Sequence, residues 1–185
     1  MSESFPRAGL LRSGYHRGQV DAFFADARAA YERPMLDDQA VSSLDVRRAA
    51  FVLRRGGYKC SAVDGALDRL EVAFAARARD QFVRAHGQQA WMSRLAESAQ
   101  ALYPRLRRPA GDRFRGPVGG RRGYDAREVD ALVERLIAFF DKGEPLSPEE
   151  VRAMTFRVRG GRGAYDERTV DAFVARAIDI LLGVQ

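Results

Sequence analysis

A phenol and a carboxylate recur together along this chain of 185 residues. Tyr15, Tyr58, Tyr124 and Tyr165 are each followed by a valine and then an aspartate at one fixed spacing: Val20-Asp21, Val63-Asp64, Val129-Asp130 and Val170-Asp171. In the last two copies the residue after the tyrosine is also acidic, Asp125 and Asp166. A carboxylate does general acid–base work when a second carboxylate, a histidine or a metal lies within reach. No such partner recurs with the motif. His16 and His86 fall in different halves and Cys60 is the single cysteine, so neither zinc-ligand spacing nor a nucleophile with its base is present. Gly160-Gly161-Arg162-Gly163 is not a phosphate loop, because no buried strand precedes it and no Gly-Lys-Ser/Thr follows. The sequence therefore predicts a non-enzyme with no catalytic residue, no cofactor and no metal.

The chemistry that remains is ionic. The net charge of +6 comes from arginine, since only Lys59 and Lys142 are lysines, and it is dispersed among 25 acidic residues. Such a balance suits an anionic partner: a membrane surface, a nucleic acid or an acidic protein. Arginine gathers with glycine just before the motif tyrosines, at Arg54-Arg55-Gly56-Gly57, Arg121-Arg122-Gly123 and Arg159 to Arg162-Gly163. The first copy has Leu10 and Leu11 in that place. These turns are the candidate membrane- or partner-binding segments. A helical protein that binds nucleic acid through its arginines is the alternative reading. It is disfavoured because the helices after the turns begin with Asp125, Glu128 and Asp130, or Asp166, Glu167 and Asp171, which face phosphates badly. No run approaches the ~20 apolar residues of a membrane-spanning helix. Met1 to Arg12 has no apolar core of signal-peptide length, which predicts a cytoplasmic chain, and one cysteine fits a reducing compartment.

Four recurrences mark a repeat, and the elements around them can be read from periodicity and capping. After the first motif Val20, Phe23, Phe24 and Ala27 trace a helical stripe, and Pro34 ends it. Val129, Leu132, Val133, Leu136, Ile137 and Phe140 trace another, as do Val170, Phe173, Val174, Ala177, Ile178 and Leu181. Residues 41–51 align without a gap on residues 146–156. Ser42 with Asp45, and Ser147-Pro148 with Glu150, read as capping boxes that open a short helix before the turn. Asp125 with Glu128, and Ser61 with Asp64, read as boxes that open the helix after it. The motif Tyr should close the corner. The motif Asp should favour the helix N-terminus or pair with a turn arginine, Asp64 with Arg54 for example.

Tyr-to-Tyr separations of 43, 66 and 41 pair copy one with two and copy three with four. Between the pairs, residues 62–103 keep a helical stripe, about 60 Å long if unbroken. His86-Gly87 near its middle is where it would kink or split, since glycine costs ~1 kcal/mol against alanine in a helix interior. The expected fold is all-α: four helix–Gly/Arg turn–amphipathic helix repeats with one long central helix. The expected division is residues 1–103, an Arg/Pro linker at residues 104–113, and residues 114–185.

Gly-Tyr-Asp-x-x-x-Val-Asp after a Ser-Pro-x-x-Val-Arg…Phe helix resembles the N-terminal domain of DivIVA-type proteins, as in the DivIVA-repeat proteins of actinobacteria. Ser147, Pro148, Val151, Arg152, Phe156, Tyr165, Asp166, Val170, Asp171 and Phe173 carry the likeness best, with Tyr124, Asp125, Val129 and Asp130 beside them. The resemblance implies a scaffold or adaptor in bacterial cell division or polar envelope growth. It also implies a homodimer through the long helix, and protein partners and an anionic membrane met at the pole or septum through the turn before Gly-Tyr. The family carries an exposed Phe at that turn; in copy two Arg55 takes its place.

Overall fold

The computed structural model describes residues 5–9, 12–34 and 41–184. Helix takes 64% of the chain and strand 9%. The fold is thus mainly α, and the departure from all-α lies in five short strands among the described residues. The chain divides into two compact units, residues 1–87 and 88–185.

Unit one holds β1 (Ser13–Tyr15), α1 (Arg17–Glu32), α2 (Ser43–Arg48), β2 (Leu53–Arg55) and α3 (Cys60–His86). Ser42 and Asp45 cap α2 reciprocally, which satisfies two backbone donors that the helix leaves open. The stripes of α1 and α3 meet. Val20 and Val63 are fully buried with Tyr58, against Phe24 and Leu67. Ala27, Ala30, Val46 and Phe74 make a second cluster against Phe23, Leu67 and Leu70. Each large apolar side chain so buried stabilises by about 1.5–3 kcal/mol. Arg47 Nε donates to Glu71 Oε1 at 2.7 Å and ties α2 to α3.

Unit two holds α4 (Gln88–Gln100), α5 (Tyr103–Leu106), β3 (Gly123–Asp125), α6 (Ala126–Lys142), α7 (Pro148–Ala153), β4 (Val158–Arg159), β5 (Ala164–Tyr165) and α8 (Glu167–Val184). Ser147 accepts from Glu150 N, but Glu150 turns its carboxylate to Arg135, so the predicted box is only half made. The predicted stripe of α6 buries Val129, Leu132, Val133 and Leu136, and that of α8 buries Val170, Phe173, Ala177, Ile178 and Leu181. α4 lies on α8, where the Trp91 indole donates to Gly183 O at 2.9 Å. A Cβ on Gly183 would overlap Leu95.

Three expectations are corrected. The central helix is not one piece: α3 stops at His86, Gly87 takes φ 87°, and α4 belongs to unit two. That backbone conformation suits glycine and interrupts the helical hydrogen-bond ladder. Residues 104–113 are not a linker, because Leu106 and Arg113 are buried within unit two. The box expected at Ser61 and Asp64 does not form, since α3 already starts at Cys60, with Lys59 as its N-cap and no side-chain cap.

The strands arise where two chain segments cross. β1 runs antiparallel to β2, while β3 is paired on both sides, by β4 and by β5. The motif glycines are what let these backbones meet. A Cβ on Gly14 would overlap Tyr58 O, one on Gly57 would overlap Gly14 O, and one on Gly123 would overlap Tyr165 O. Close approach, rather than a left-handed turn, is therefore their role. The Gly57→Ala variant should lower the stability of unit one by at least about 1–3 kcal/mol, the usual cost of overpacking. Hydrogen exchange should accelerate across residues 1–87 and stay unchanged across residues 88–185; protection left intact in both units would refute the steric argument.

Candidate functional site

The four motif tyrosines converge pairwise on the carboxylates of the other copy. Tyr58 donates its hydroxyl to Asp21 at 3.0 Å, and the Asp64 carboxylate, after burial, raises the pKa of Tyr15. In unit two Tyr165 donates to Asp130 at 3.0 Å, and the Asp171 carboxylate likewise raises that of Tyr124. The backbones match this reciprocity. Tyr15 N donates to Tyr58 O and Tyr58 N to Tyr15 O, both at 2.9 Å, while Tyr124 pairs with Tyr165 between β3 and β5. Among the described residues Asp64 makes no ion pair with Arg54; its carboxylate instead acts on the Tyr15 phenol, whose pKa it raises.

An arm carrying a phenylalanine lies over each tyrosine. The ring centroids are 5.5 Å apart for Phe5 and Tyr58, 5.4 Å for Phe51 and Tyr15, 5.2 Å for Phe114 and Tyr165, and 5.2 Å for Phe156 and Tyr124. The residue after each phenylalanine accepts a backbone hydrogen bond from the residue after the tyrosine. His16 N reaches Val52 O at 2.8 Å, Lys59 N reaches Pro6 O at 2.8 Å, Asp125 N reaches Arg157 O at 2.8 Å and Asp166 N reaches Arg115 O at 2.9 Å. The two arms of each unit thus cross, each completing the corner of the other copy. The motif valines beneath are all buried, Val20, Val63, Val129 and Val170.

Burial, and then the neighbouring carboxylate, raises the pKa of all four phenols. Tyr165 is pushed up to about 12. A phenol so held stays neutral and donates. Asp130 is the most enclosed of the four motif carboxylates. It also accepts from Gly111 N at 2.8 Å and lies 3.8 Å from the buried Arg113, whose N–H donates to Tyr165 Oη at 3.2 Å. Arg113 is further paired with Glu134. Asp125 and Asp166 serve as local caps: Asp125 accepts from Arg127 N at 3.0 Å, Asp166 from the Thr169 hydroxyl at 2.6 Å, and both carboxyls are held below the usual range by those bonds. Glu128 does not complete a box with Asp125, since it accepts from Arg157 N at 2.7 Å instead.

The candidate turn residues divide into two sets. Arg122 donates to Val158 O at 2.6 Å and Arg159 pairs with Asp125 at 3.0 Å, so both tie one turn to the other copy. Arg54 and Arg55 line a cleft of about 410 Å³ with His16, Arg17 and Asp21. Arg121 and Arg162 line one of about 610 Å³ with Arg115 and the turn glycines. Leu10 and Leu11 lie outside the described residues. The sequence reading overlooked the aliphatics in the turns: Val52 is 54% exposed, Leu53 58%, Val118 69% and Val158 42%. Their signal was apolar residues lying between the arm phenylalanine and the motif tyrosine, in a segment otherwise of glycine and arginine. His16 caps α1 by accepting from Gln19 N at 3.2 Å, and His86 stacks on Phe82.

No family model, no curated protein and no solved structure matches the chain. Among the described residues no helix is long and apolar enough to cross a membrane, and no group of His, Cys, Asp and Glu is placed to hold a metal.

The raised phenol fixes a pH dependence. The folded protein keeps on Tyr165 a proton that the unfolded chain releases near pH 10, so this stabilisation is full below pH 10 and is lost as the pH climbs toward about 12. The Tyr165→Phe variant should be less stable than the parent by about 1–3 kcal/mol at neutral pH, because Asp130 and Arg113 N lose a buried partner. The gap should close in alkali. Urea titrations followed by circular dichroism on either side of pH 10 measure both effects.

Proposed function

We propose that the chain is a non-enzymatic scaffold or adaptor of the DivIVA type, built of four repeats and acting in bacterial cell division or polar envelope growth. The reciprocal Tyr–Asp exchange between the two copies of each unit is the observation that carries this reading. Tyr58 donates to Asp21 and Tyr165 to Asp130, and the other copy's carboxylate raises the pKa of Tyr15 and Tyr124. Phenols so held stay neutral, which suits a motif that closes a fold rather than one that presents a reactive group. What each crossed head offers its surroundings is a set of Gly/Arg turns with exposed aliphatics at Val52, Leu53, Val118 and Val158. Guanidinium beside an exposed aliphatic suits an anionic membrane surface or a protein partner, as the family resemblance implies. Near an anionic bilayer each arginine contributes about 1 kcal/mol.

The same arrangement makes a homodimer through the long helix unnecessary for folding, since each motif copy already finds its partner within the chain. A second chain remains a candidate ligand of the assembled units. A cytoplasmic place, peripheral at the membrane of pole or septum, belongs to the same proposal.

Vesicle sedimentation tests it. Phosphatidylglycerol vesicles should pull the protein down at low salt, and phosphatidylcholine vesicles should not. Reversal of Arg54, Arg55, Arg121 and Arg162 to glutamate should cut the bound fraction at least tenfold, with the far-ultraviolet spectrum unchanged. Failure of anionic vesicles to bind the parent protein would remove the membrane half of the proposal. A salt-sensitive shift of DNA or RNA abolished by the same reversals would favour the nucleic-acid reading instead.

A further inference from the structure

A second cationic feature lies entirely within unit two and meets the larger turn cleft at Arg115. Four arginines, Arg105, Arg115, Arg168 and Arg176, line a groove of about 500 Å³ whose lining includes no acidic residue. Arg105 comes from α5, the segment read from sequence as a linker, while Arg168 and Arg176 come from α8. Buried Leu102 and Phe173 lie at its floor. Arg105 lies over the Phe114 ring, its guanidinium carbon 5.2 Å from the centroid. Arg115 is loosely paired with Asp166, at 3.3 Å and exposed. Among the described residues the side chains of Arg168 and Arg176 make neither an ion pair nor a hydrogen bond.

Like charges collected in one concavity repel one another, so the free fold is penalised and an anion that enters relieves the penalty. Guanidinium forks match carboxylates two bonds at a time. The apolar floor then discriminates between anions. Single-stranded nucleic acid is held by exposed aromatic rings on which bases stack, and both phenylalanines here, Phe114 and Phe173, are buried. A peptide with an aliphatic side chain between carboxylates fits the charge together with the exposed Ala101 and Ala172 of the lining. We propose that this groove is the docking site for an acidic peptide segment of a partner protein, with its carboxylates on Arg168, Arg176 and Arg105 and an aliphatic side chain over Ala101 and Ala172. The proposal deepens the adaptor reading but does not depend on membrane binding, because these three arginines lie outside the Gly/Arg turns.

The test is fluorescence anisotropy of the full chain with a short fluorescein-labelled peptide of glutamates interspersed with leucines. The parent should bind it in a salt-sensitive manner, and Arg168→Glu with Arg176→Glu should weaken binding at least tenfold without lowering the melting temperature. A charge-matched control, Arg28→Glu with Arg84→Glu, changes exposed positions of unit one and should leave binding within twofold. The vesicle experiment should be indifferent to the Arg168 and Arg176 changes. Equal weakening by both pairs of substitutions would show a response to net charge alone and overturn the site. Displacement of the peptide by an equally charged single-stranded oligonucleotide at the same concentration would overturn the assignment to peptide. No binding by the parent would overturn it outright.

Discussion

The structure depends on a phenol that donates across to a carboxylate it does not share a motif with. Tyr58 reaches Asp21 and Tyr165 reaches Asp130, and in the return direction Asp64 and Asp171 raise the pKa of Tyr15 and Tyr124. A single such bond is worth only ~1 kcal/mol net, but a buried carboxylate or phenol left without its partner costs more than the bond contributed. The exchange therefore acts chiefly by excluding alternatives. Buried Asp130 accepts from the Tyr165 hydroxyl only when the two copies of unit two cross, whereas Asp21, Asp64 and Asp171 are exposed. The crossing requires that each glycine admit the opposing carbonyl, so steric permission at Gly14, Gly57 and Gly123 is the constraint that both units share.

Placing both partners on one chain changes the cost of meeting that constraint. Two separate chains would lose translational freedom to cross their arms, while copies joined by a connecting segment lose only loop-closure entropy, which grows slowly with length. The effective concentration of one copy at the other is then set by the connection and does not fall with dilution. A chain built in this way can hold its turns in a crossed head at any expression level.

Much of the helical content was legible. The stripes beginning at Val20, Val129 and Val170, the break at Pro34 and the box at Ser42 and Asp45 all follow from period and capping chemistry, which are local. The parts that were not legible are non-local. Nothing in the neighbourhood of Asp21 says that its hydrogen bond comes from Tyr58, and a local arginine, Arg54 for Asp64, is the natural expectation from sequence. Glu128 and Glu150 sit where a capping box wants them, yet Arg157 and Arg135 claim them across the fold. The exposed aliphatics of the turns were passed over for a related reason, since a valine or leucine in a loop reads as buried until its surroundings are known.

The segment 104–113 shows the same limit from the other direction. Two prolines and several arginines in ten residues describe a linker by composition, and composition has no knowledge of Asp130. Arg113 is 3% exposed and donates to Arg108 O, to Asp130 O and to Glu134, so the segment is pinned to α6 at its far end while Leu106 packs at its near end. A buried guanidinium is retained at a cost in desolvation that its partners offset only when all of them are in place. That makes Arg113 a test of register for unit two, because any slip of β5 against β3 moves Tyr165 away from both Asp130 and Arg113 N. It also fixes where the neighbouring arginines go. With Leu102, Leu106 and Arg113 anchored, Arg105 is carried onto the Phe114 ring, and the charge that looked like a solvated tether becomes one wall of a groove.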